Sequence, residues 1–195
     1  VGPLVATIAL SGLAQFTLYT TWVLYTHFKF GWGPAEVGTS LFVVGLMAAL
    51  VQGVLLKHLL ARFSPRRLAA FGLAAGALTY LGYALAPTGA VIYGVIVVGA
   101  LLGGGAPAAM QSIVSNAAGA REQGQTMGAV ASLNSLMAVV APVLGTALLG
   151  VVSHQPQGDV WIGLPFFFCA ALQAAAAWLA IRFFRRQPAL AVAPT

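Results

Sequence analysis

Long uncharged apolar runs alternate along this chain with short clusters of charge. No Asp, Glu, Lys or Arg falls before Lys29, between Glu36 and Lys57, between Arg67 and Arg121, between Glu122 and Asp159, or between Asp159 and Arg182. A helix needs about 20 apolar residues to cross a bilayer. The gaps therefore predict six helices, over about 4–27, 37–60, 68–86, 90–116, 124–152 and 161–184. The gap after Arg67 holds two of them, split by the turn signal Ala86-Pro87-Thr88-Gly89. The expected fold class is all-α integral membrane, with residues 1–186 as one six-helix transmembrane domain and 187–195 as a Pro/Ala-rich cytoplasmic tail.

The stretch from Gly103 to Gly150 organises the rest. It joins two apolar runs through Arg121-Glu122-Gln123-Gly124, and each run is interrupted, by Gly103-Gly104-Gly105-Ala106-Pro107 and by Ala141-Pro142-Val143-Leu144-Gly145. Lipid supplies no replacement hydrogen bonds, so broken backbone at that depth must be buried in protein or line a cavity. Such segments point to a substrate path.

Polar positions then mark faces on the apolar helices. At about 100° per residue, Ser11, Gln15, Tyr19, Trp22 and Thr26 form one stripe on the first span. This is a cavity wall or a set of interhelical hydrogen bonds. On the fourth span Ala100, Gly104, Pro107, Gln111 and Ser115 share a face. Pro107 frees the carbonyl of Gly103, which makes Gly104 and Pro107 a gating hinge or a static kink. On the fifth, Asn134 is a ligand contact or a helix–helix clasp. Gln52 on the second span is open between cavity and packing. The GxxxG pairs Gly72/Gly76 and Gly99/Gly103 read first as packing sites.

Composition agrees with this picture. The chain of 195 residues is 60% hydrophobic and 6% charged, far below the roughly 25% charged of soluble domains. The net charge of +6 sits in short clusters between spans, which suits topology signals rather than nucleic acid. Lys57, Arg62, Arg66, Arg67, Arg121, Arg182, Arg185 and Arg186 fall on one side, eight of the nine basic residues, against Lys29 on the other. Both ends are expected to be cytoplasmic, with Arg62, Arg66 and Arg67 in a cytoplasmic basic turn. The turns at 28–36, 87–89 and 153–160 are expected outside, with Phe28, Phe30, Trp32 and Trp161 as an outer aromatic belt. Cys169 is the one cysteine, which excludes an intrachain disulfide and a Cys-based zinc site. No HExxH, GxSxG, Walker or EF-hand pattern occurs. No catalytic group, metal or cofactor is expected. The chain starts at Val1 and reads as an excerpt of a longer protein.

No ionisable residue falls in the middle of a span, so no proton relay is visible. The ordered set Trp22-Val23-Leu24-Tyr25, Phe30-Gly31-Trp32, Val37-Gly38-Thr39-Ser40-Leu41, Gln52 with Ala61-Arg62-Phe63-Ser64-Pro65-Arg66-Arg67, Gly103 to Ala108 with Gln111 and Gln123-Gly124-Gln125, Ser132 to Leu136, and Ala141 to Leu144 resembles the C-terminal six-helix half of a major facilitator superfamily transporter. It is most similar in pattern to the tetracycline-efflux branch of drug:proton antiporters. The resemblance runs from about Gly12 to Phe184. It implies a 3+3 helix repeat forming one half of a major facilitator fold, with the first, second, fourth and fifth helices on a central cavity and the third and sixth toward lipid. It implies alternating-access efflux of a small amphipathic substrate against protons, in the inner (plasma) membrane, with the N-terminal six-helix half as partner. Gln15, Tyr19, Trp22, Gln111 and Asn134 are then the candidate substrate contacts. The chain departs from the branch at Gly76, where tetracycline exporters often carry Asp, and its basic turn lacks the superfamily's acidic residue. A uniporter or importer of the same superfamily is the alternative; a six-helix fragment without transport of its own is another.

Overall fold

The computed structural model describes residues 2–117 and 123–186. The helices are α1 (Gly2–Phe30), α2 (Pro34–Leu50), α3 (Leu56–Arg62), α4 (Pro65–Leu85), α5 (Gly89–Gly103), α6 (Ala106–Ala117), α7 (Gln123–Val152) and α8 (Leu164–Arg186). A π-helical turn, Val51–Leu55, makes α2 and α3 one span, and α5 and α6 make another. Among the described residues, six segments are thus long and apolar enough to cross a membrane.

Local chemistry explains the boundaries. Gly31 ends α1 with φ of 68° and donates its N–H to the His27 carbonyl at 2.9 Å, the left-handed stop that glycine favours. Pro34 opens α2, and the Glu36 carboxylate reaches back to accept from the Gly33 N–H at 2.9 Å. Ser64 caps α4, with Pro65 in its first turn. Pro87 follows its end, where a helix cannot continue through the preceding residue.

Two expectations change here. The fifth span is not broken at Ala141–Gly145: α7 runs continuously through Pro142. Pro142 removes a single ladder bond, the one to the carbonyl of Ala138 four residues back, and the helix runs on through it. Lys29, expected in an outer turn, is instead in the last turn of α1 and is buried. Its ammonium donates to the Ala84 carbonyl and lies near the Tyr25 and Phe30 rings. The carbonyls of Tyr83 and Ala84 are among the four that a helix end leaves without partners; Tyr25 and Lys29 satisfy both from across the bundle.

The packing has an internal symmetry. The first span packs on the fifth and sixth, the fourth packs on the second and third, and the third and sixth pack on each other. Exchanging spans one to three with four to six preserves these main contacts, as a 3+3 repeat requires. The third and sixth spans are consequently the most buried of the six. Their outward faces carry exposed Phe71, Leu78 and Trp178.

Two apolar clusters fill the bundle. One gathers Trp22, Tyr25, Tyr80, Tyr83, Phe166 and Cys169 at the end where α1 and α4 finish. Phe28, Phe30 and Trp32 pack against it, so only Trp161, at 62% exposure, stands outward as a belt residue would. The other gathers Leu4, Leu68, Leu73, Met110, Val114 and Val130 at the opposite end.

Candidate functional site: a neutral cavity inside the helix bundle

Between the two clusters lies a cavity of about 630 Å³. Every candidate contact and hinge residue lines it: Gln15, Tyr19 and Trp22 from α1, Gly104 and Pro107 at the α5–α6 break, Gln111 from α6 and Asn134 from α7. Gln15, Tyr19 and Gln111 are exposed, so their polar groups are available on its open side. Arg62, Arg66 and Arg67 lie apart from it, at the end of α3 and the start of α4.

The α1 stripe divides by depth. Trp22 is 5% exposed, and its Nε1–H donates to the Ser40 hydroxyl at 3.0 Å. Its ring meets Tyr83 edge-on at 5.3 Å. Trp22 therefore closes the cavity's aromatic end while tying α1 to α2. Thr26 is buried beyond it and bonds back to the Trp22 carbonyl at 2.9 Å. Gln15 and Tyr19 are left facing the space. Asn134 adjoins α1: a Cβ built on Gly12 would sit 3.3 Å from its Oδ1. It thus stands at a helix contact and on the cavity wall at once.

The fourth span is broken where its glycines and proline foretold. Gly104–Gly105 forms a turn between α5 and α6, and the Gly104 N–H donates to the Ala100 carbonyl at 2.9 Å. Opposite this break lies the π turn of the second span. A Cβ at Gly104 would approach Val51 Cγ1 to 2.8 Å and Ala100 O to 2.5 Å. Two backbone irregularities thus touch, and both line the cavity, with Gln52 exposed on the π turn. Irregular backbone beside a cavity is where membrane proteins tolerate it, and π turns recur at functional sites.

The GxxxG pairs are packing sites, and they bring the third span to the cavity. A Cβ at Gly72 would come within 2.7 Å of Ala106 Cβ, and one at Gly99 within 2.5 Å of Thr79 Cγ2. This close approach lets Thr79 and Tyr80 of α4 reach the cavity, with Gln173 of α8 behind Gly76. Sequence reasoning missed these residues. The available signal was Gln173, a single amide in the alanine-rich run 170–177.

Among the described residues, no Asp, Glu, Lys, Arg or His lines the cavity. No group of three or more His, Cys, Asp or Glu side chains comes together among them. The wall offers amides, hydroxyls and aromatic rings, which can hydrogen-bond and stack on a ligand of mixed polarity.

Residues 4–195 match the Major Facilitator Superfamily. The chain is 35% identical over 144 residues to the class D tetracycline resistance protein of Salmonella ordonez, covering 73% of this chain and 36% of that protein. It is 33% identical over 141 residues to the class G protein of Vibrio anguillarum, covering 72% and 36%. It is 31% identical over 151 residues to the class C protein of Escherichia coli, covering 77% and 37%. The matched stretch thus spans little more than a third of each of these relatives.

Proposed function

The chain belongs to the Major Facilitator Superfamily, and on that premise we propose that it is the C-terminal six-span half of a proton-coupled exporter of small amphipathic molecules. The observation that carries this reading is the neutral polar and aromatic cavity between the two clusters. Such a lining suits an apolar or weakly charged ligand with a few hydrogen-bonding groups, and the tetracycline resistance of the relatives agrees with that class.

In this reading Gln15, Tyr19, Trp22, Gln111 and Asn134 contact the substrate. Gly104 and Pro107 let the fourth span bend as access alternates. An N-terminal six-span half closes the other side of the cavity, and lipid surrounds both. Since no acid among the described residues lines the cavity, in this reading the group that exchanges protons belongs to that other half. The excess of Lys and Arg on one side orients both ends toward the cytoplasm of the inner (plasma) membrane.

The lack of an acid among the described residues of the cavity also favours a second reading, a uniporter of the same superfamily. Transport of tetracycline into everted vesicles carrying the full-length protein separates the two. Export coupled to protons is expected to stop when an ionophore collapses the gradient; accumulation limited to equilibration, indifferent to the ionophore, identifies the uniporter. Absence of tetracycline transport under both conditions would sink the substrate class.

A further inference from the structure

Gln173 is near the middle of α8, and Gly76, against which it packs, is near the middle of α4. The side chain is 6% exposed and lines the cavity. Its Oε1 is buried and has no hydrogen-bond partner among the described residues. A Cβ at Gly76 would lie 2.8 Å from Nε2 and 3.3 Å from Cγ, so the amide packs directly on the glycine and would have to shift for a larger residue. On α8 itself the adjacent residues are alanine and leucine, and the thiol of Cys169 one turn back is directed to the Ala14 carbonyl.

A buried carbonyl without a donor is disfavoured, and most strongly at the depth of a bilayer's hydrocarbon. An apolar side chain of the same size would pack there without that cost. The amide gains only when a donor arrives, and the cavity is the open route to it. The terminal torsion of glutamine is broad and roughly two-fold, so a small rotation turns the oxygen toward the cavity.

We infer that Gln173 is a specificity-determining contact that accepts a hydrogen bond from a hydroxyl or amide N–H on the transported molecule. This rests on the cavity being the substrate path. The contact lies on the wall built by the third and sixth spans, apart from the residues that the sequence nominated. It favours ligands that place a donor on an otherwise apolar flank, because a ligand without one leaves the acceptor buried and unmet.

The test uses purified full-length transporter with tetracycline, whose rings carry hydroxyl and amide donors. Gln173→Met and Gln173→Leu are expected to weaken tetracycline binding roughly five- to tenfold, the effect of one net hydrogen bond. Their melting temperatures are expected to equal or exceed that of the wild type, since an unmet acceptor is removed. Gly76→Ala, which crowds the amide from the other side, should weaken binding in the wild-type background. Unchanged tetracycline affinity in the folded variants, with a lower melting temperature, makes Gln173 a packing group and overturns the inference alone. A wild-type protein that binds no tetracycline overturns the functional reading, and the inference falls with it.

Discussion

At the scale of single residues, the α1 stripe separates into groups that differ in what their removal should do. Gln15→Ala takes an exposed amide off the cavity wall and should cut gradient-dependent tetracycline efflux by roughly tenfold, about one hydrogen bond, at unchanged membrane abundance. Efflux equal to wild type would return that residue to helix packing. Trp22 is different because its indole is committed to Ser40. Ser40→Ala leaves the buried Nε1–H without an acceptor and should cost about 1–3 kcal/mol. Trp22→Phe removes that donor, while the Ser40 hydroxyl keeps its bond to the Val37 carbonyl at 2.7 Å. On hydrogen bonding alone it is the milder change. Melting curves of the two variants test the order; a larger loss in Trp22→Phe would show that ring packing outweighs the hydrogen bond. The stripe's period was readable in the sequence. Its division was not, because which residue is buried depends on where α2 and α4 stand.

At the scale of elements, the fourth span and the second must be considered together. Gly104 meets both the Ala100 carbonyl and Val51, so Gly104→Ala should overpack the contact between the break and the π turn, at about 1–3 kcal/mol. Pro107 stands in the first turn of α6, where its missing N–H costs no ladder bond, so Pro107→Ala should change stability little. If the break bends during transport, Pro107→Ala slows tetracycline turnover at wild-type abundance; unchanged turnover makes it a static kink. Proline and glycine in the sequence marked the break at 103–107, yet the same signal at 141–145 marked none. The difference is physical. One proline costs a single ladder bond, which a continuous helix absorbs. In the fourth span three glycines precede the proline, and they remove the side-chain restraint on the backbone as well. The π turn at Val51–Leu55 left only a faint pattern, since a lone Gly53 beside Gln52 is a signal that many continuous helices also carry.

At the scale of the whole molecule, topology and symmetry decide function. Cys169 is buried and its thiol donates weakly toward the Ala14 carbonyl at 3.4 Å, so the native thiol should be silent to polar maleimides. Against that background Gln157→Cys should react with a membrane-impermeant maleimide on intact cells, and Arg67→Cys only after the membrane is opened. The reverse pattern would invert the orientation read from Lys and Arg. The 3+3 exchange of contacts also explains why the third and sixth spans are buried deepest: they pack on each other across the axis that relates the two repeats. Gln173 and Thr79 come to the cavity through that central pairing.

The six spans, their approximate ends and the sidedness of charge were determined by the sequence by itself, because each depends on local hydropathy and local charge. So was the list of polar groups that a cavity had to accommodate, and the ordered motifs that pointed to the superfamily. The tertiary structure alone decided which of those groups share one space. It buried Lys29 against the carbonyls that end α4, set the π turn against the Gly104 break, and brought Gln173 to the cavity past Gly76. Each of these pairs residues far apart in the chain. Helical period reports only the face on which a side chain lies; the helix that meets that face is chosen by packing across the bundle.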